Sequence, residues 1–176
     1  MAMGALERVE KKEIRDLLGK GWLTHDGMWF YHAYRELGIE TANALNKAAI
    51  RSLAPVEMER ARQVLGIRKG PFETFDELME FLLAALELTL PGSVFARFRL
   101  HSPSKGLVLW EWEAGQCFAY KAVKGLGAID GYRCGVMYRI ECWLEALGVG
   151  HTTRPRIDAC LMHETGACRG EIKVSL

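Results

Sequence analysis

Two hydrophobic rhythms divide the chain near residue 92. Before it, apolar positions recur every three or four residues, the spacing of a helix face. After it, runs of strict alternation appear, interrupted by one more helical stretch. Residues 5–37 read as a helix bent near Gly19–Gly21, and Gly38 supplies the left-handed residue on which helices stop. A second helix is predicted over 40–53, with Ala42, Leu45, Ala49 and Leu53 on one face. Pro55 suits the first turn of a third, which carries Met58, Ala61 and Leu65 inward and ends at Gly66. Thr74 followed by Glu77 forms a capping box for a fourth, in which Phe75, Leu78, Phe81, Leu82, Ala85 and Leu86 share a face. Pro91-Gly92 closes it.

Residues 94–100 and 107–113 then read as a hairpin. Its alternation sets arginines (Arg97, Arg99) across from glutamates (Glu111, Glu113) on one face and turns Phe98, Trp110 and Trp112 inward. A short helix over 116–124 and a longer one over 134–147 follow. Strands over 152–162 and 168–176 make a second hairpin, with Ile172, Val174 and Leu176 inward. The predicted fold is α+β: N-terminal helices packed on one antiparallel sheet built from two hairpins separated by a helix. Residues 1–92 form the helical part and 93–176 the hairpin–helix–hairpin part of one compact domain.

With 176 residues, 49% apolar and 26% charged, the chain has the composition of a globular domain. A net charge of +1 and the lack of a basic stripe argue against a nucleic-acid partner. The most apolar run, residues 81–90, is too short for a bilayer and carries Glu87, so no membrane partner is expected. The charged N-terminus does not read as a secretory signal, and an odd count of five cysteines fits a reducing, cytoplasmic setting.

The cysteines are the candidate chemistry. Cys134 opens the apolar helix, while Cys160 and Cys168 flank the turn of the second hairpin. A helix N-terminus favours the thiolate, and zinc accepts thiolate, imidazole and carboxylate in a tetrahedron. Asp158 shares a strand side with Cys160 and His163 lies in the turn; either completes the set, with Asp158 preferred. The competing reading is that these are buried free thiols, which cores often contain. Cys117 and Cys142 read as packing residues.

From about residue 93 onward the chain resembles the 4-vinyl reductase domain superfamily, on Glu113-Ala114, Cys134, Cys160 and the run Cys168-Arg169-Gly170-Glu171-Ile172-Lys173-Val174. The resemblance implies zinc held by the three cysteines and a glutamate. Ile157 stands at the glutamate's position, which again brings in Asp158 or His163. The N-terminal half, with Trp22-Leu23-Thr24-His25-Asp26-Gly27-Met28-Trp29, is similar to uncharacterised prokaryotic proteins distantly related to L-2-amino-thiazoline-4-carboxylic acid hydrolase-like sequences.

Phe98, Trp110 and Trp112, with Trp29 and Phe30 from the helices, are candidates to line a cavity between sheet and helices. In the sensor members that the chain resembles, this space holds a small aromatic ligand. His32 is a candidate polar group there. His25, Asp26 and His32 also invite a catalytic reading, although solvated helix residues are the commoner explanation. The expectation is a small-molecule binding or sensing domain with a structural zinc, acting as a homodimer. The alternative is a metal-dependent hydrolase-like enzyme acting on a small cyclic substrate.

Overall fold

The computed structural model describes residues 4–176. Helix α1, Lys11–Leu65, carries most of the N-terminal half and departs from helical geometry at Gly38 alone, where φ is 81° and ψ is 167°. Gly19 and Gly21 do not bend it. Pro55 does not start a new helix either, so the expected second and third helices are one. The proline ring faces solvent, and burial of Ala54 and Met58 on either side holds the turn despite the missing amide. The buried face also differs from expectation. Leu45 and Ala49 are exposed, and Ala42, Asn43, Ile50, Ala54, Met58 and Ala61 face inward. Asn43 sets this rotation, because its Nδ2 donates to the Gly131 carbonyl at 2.8 Å and its Oδ1 accepts from the Arg133 amide at 2.9 Å. A buried amide satisfied at both ends docks α1 onto the loop before Cys134.

Helix α2, Phe75–Thr89, begins at the predicted capping box: Glu77 N–H donates to Thr74 Oγ1 at 3.2 Å and Thr74 N–H to the Glu77 carboxylate at 3.3 Å. Thr74→Ala is expected to cost about 1 kcal/mol and lower the melting temperature by roughly 2–4 °C in a thermal melt. The chain then makes a one-turn helix, α3 (Gly92–Phe95), where a strand was expected, because the Gly92 amide is held by Asp16 Oδ1 at 2.8 Å.

Strands β1 (Phe98–Ser104), β2 (Leu107–Trp112), β3 (Gly150–Arg154) and β4 (Cys168–Ser175) form one antiparallel sheet in the order β1-β2-β4-β3. Arg99 pairs with Glu111, and Glu111 with Arg169, on the outer face, as the alternation predicted. Phe98, Trp110, Trp112 and Ile172 are buried on the inner one. The third strand is shorter than expected. It stops before Pro155, which has no amide to offer the ladder, and Leu161–Thr165 form a short helix, α6. Between the hairpins lie α4 (Phe118–Gly125) and α5 (Gly135–Ala146). α5 packs on α1, and Glu57 of α1 accepts from Arg139 at 2.7 Å and from Trp143 Nε1 at 2.8 Å. No helix among the described residues is long and apolar enough to cross a membrane.

Candidate metal centre and adjoining cavity

Three helices begin on a cysteine. Cys117 is the N-cap of α4, Cys134 of α5 and Cys160 of α6. None of the three sulfurs makes a cap hydrogen bond to its helix, but nearby backbone amides of the following turn (Ala119 and Tyr120, Val136 and Met137, Met162 and His163) partly offset the cost of ionising it. Cys168, the first residue of β4, stands opposite Trp112. All four thiols are buried and none is in a disulfide. All six pairs among them are near enough for their charges to repel.

Burial pushes the Cys117 thiol up to about 12. Burial also raises Cys134, Cys160 and Cys168, and at Cys168 the charges of Cys117, Cys134 and Cys160 add to it. Negative charge in this place therefore needs a cation, and the amides of three helix N-termini supply only part of the compensation. Four buried thiols are a donor set suited to a soft ion such as zinc. The side chains as placed do not close a coordination shell: no group of three or more His, Cys, Asp or Glu among the described residues is arranged to hold a metal.

The structure thus brings Cys134, Cys160 and Cys168 into one neighbourhood and adds Cys117, which the sequence reading assigned to packing. It leaves out Asp158, which is exposed and ion-paired with Arg156 Nε at 2.9 Å. His163 is turned to Asp130, with Nε2 3.0 Å from Oδ1. Ile157, at the glutamate position of the resembling sensors, is buried and offers no donor. Cys142 lies within α5 among Tyr138, Glu145 and Arg51, apart from the four.

Beside this set lies an apolar cavity of about 100 Å³. Trp22 and Phe30 of α1, Leu86 of α2, Phe98 and Trp112 of the sheet, and faces of α4 and α5 line it. Asp26, Asn46, Thr89, Tyr132 and Arg139 bring polar groups to it. Trp112 joins cavity and cysteines: it is the cross-strand neighbour of Cys168, its ring lies 4.8 Å from Phe98 and 5.8 Å from Phe118, and its buried Nε1 has no hydrogen-bond partner. Three expected lining residues, Trp110, Trp29 and His32, do not contribute. Trp110 is buried against Gly170, where a Cβ would meet its ring at 2.7 Å. His32 is exposed on the outer side of α1, as are His25 and Trp29.

The model of a protein family of unknown function, DUF6125, matches residues 5–92, half of the chain. The chain belongs to this family. No curated protein and no solved structure matches it. The DUF6125 segment ends where the helical rhythm ends, at the entry to α3. It supplies Trp22, Phe30 and Leu86 to the cavity and none of the four cysteines. In this DUF6125 protein the cavity is therefore closed only where the family segment meets the sheet, α4 and α5.

Proposed function

We propose that this protein is a cytoplasmic small-molecule binding or sensing domain whose cavity walls are pinned by a structural zinc held by Cys117, Cys134, Cys160 and Cys168. One observation carries the reading: four buried thiols share one neighbourhood, and two of them, Cys117 and Cys134, start the helices α4 and α5 that line the apolar cavity. α4 leaves Cys117 and places Phe118, Ala119 and Val123 on the cavity wall. α5 leaves Cys134 and places Val136 and Ile140 there. A cation drawing the four sulfurs together would fix both helices against β4. Zinc at such a site supplies cross-linking energy rather than reactivity.

A set of four protein sulfurs leaves no coordination position for water, which favours a structural role over the hydrolase-like one. The cavity size is comparable to that of an engineered apolar cavity that takes benzene, about 150 Å³. A small cyclic compound is therefore the class of ligand that fits. Elemental analysis of protein purified without chelators is expected to find about one zinc per chain. Titration of that protein with small ring compounds is expected to raise its melting temperature, and stripping the metal to abolish the shift. Metal-free protein with the same melting curve would end the zinc reading, and a full panel without any shift would end the binding one.

A further inference from the structure

The first arm of α1, residues 11–37, has an outer face left exposed by the described residues. Leu17 is 73% exposed, Leu18 67%, Trp29 68% and Met28 41%. At about 100° per residue these four fall within an arc of about 120°, opposite the side that buries Phe30. Gly21 lies in the middle of that arc, and a Cβ there would meet nothing within 4 Å. A glycine inside a helix costs about 1 kcal/mol relative to alanine, and nothing among the described residues uses the space it leaves.

We propose that this face is the contact surface of a homodimer in which two α1 arms cross antiparallel beside Gly21. The occupant is a second copy because the stripe complements itself. With a two-fold axis passing between residues 23 and 24, Leu18 stands opposite the partner's Trp29, and Lys11 opposite the partner's Glu36. Each contact occurs twice, as an isologous interface requires. Lys11 and Glu36 are exposed, share one flank of the arc, and make no ion pair among the described residues. Gly21 next to the axis lets the two backbones approach. Antiparallel arms also set the positive end of each helix dipole beside the negative end of the other.

Sedimentation velocity on the full chain tests this. A dimer is expected at micromolar concentration, and Leu18→Glu or Trp29→Lys is expected to give a monomer with an unchanged circular dichroism spectrum. Lys11→Glu and Glu36→Lys are each expected to weaken the dimer, by about tenfold in Kd, and the double reversal to restore it. A wild-type monomer at all concentrations, a dimer that survives Trp29→Lys, or a double reversal no better than the single ones would overturn the proposal. None of these outcomes depends on the metal, so the two readings stand or fall separately.

Discussion

Cys168→Ser is expected to lower the melting temperature by roughly 10 °C or more, and Cys117→Ser, Cys134→Ser and Cys160→Ser by similar amounts. If the four thiols hold zinc as proposed, loss of one thiolate removes much of the metal's binding energy, which is folding energy when the site does not exist in the unfolded chain. A destabilisation of about 3–5 kcal/mol corresponds to that shift in a chain of this length. Cys142→Ser should have a milder effect, because Cys142 sits among α5 neighbours rather than with the four sulfurs. Additivity distinguishes metal ligands from buried core thiols. Core positions that do not touch add their costs, whereas ligands of one ion do not. Once a single substitution has expelled the zinc, a second cysteine of the set should cost little more, and a chelator should bring the wild type down to the level of the variants. Calorimetry of the single and double variants, with and without chelator, checks this. Equal effects at Cys142 and Cys168, or simple addition within the set, would make the four thiols ordinary core residues.

The sequence showed the elements with strong local signals and missed those decided by packing. The Thr74–Glu77 capping box is local chemistry and appears where predicted. The alternation that turned Phe98, Trp110 and Trp112 inward is a local rhythm and survives in the sheet. Pro55 misled because burial of its neighbours outweighs the propensity of a single residue. The buried face of α1 was misplaced because Asn43 reads as a surface residue until its two partners, Gly131 and Arg133, arrive from far along the chain.

That Cys117 lies near the other three cysteines is not legible in the sequence, for a related reason. Its position at the start of a helix matches that of Cys134, and this shared N-cap placement was the available signal. Nothing local says that three such helix starts point to one place. Asp158 was preferred on the assumption that a strand continues to Cys160. The strand ends before Pro155, so the alternation that put the two side chains together does not apply. His32 failed as a cavity residue because the core side of the α1 arm is fixed by Phe30, two residues away and on a different face.

Glu57→Gln should be nearly as damaging as loss of a sulfur, although it touches no metal. Glu57 and Arg139 form an ion pair at 2.7 Å with side chains only 12% and 15% exposed. The second carboxylate oxygen takes the Trp143 indole N–H, and the guanidinium lies 4.4 Å from the centre of the Trp22 ring. Neutralising Glu57 leaves a buried arginine without its counter-charge, which typically costs about 3–5 kcal/mol and hence roughly 10 °C in melting temperature. Replacing both partners, Glu57→Leu with Arg139→Met, should cost less than the single change, because no orphan charge remains. The surface pair Arg156–Asp158 is the control. Its side chains are 87% and 66% exposed, so Asp158→Asn should move the melting temperature by no more than about a degree and leave the zinc content unchanged. Since Arg139 and Trp22 both line the cavity, Glu57→Gln should also weaken binding of any ring compound the wild type takes. Thermal melts of the three variants, with and without such a compound, separate the contributions. If Glu57→Gln melted like the wild type, the pair joining α1 to α5 would contribute nothing to holding the cavity wall.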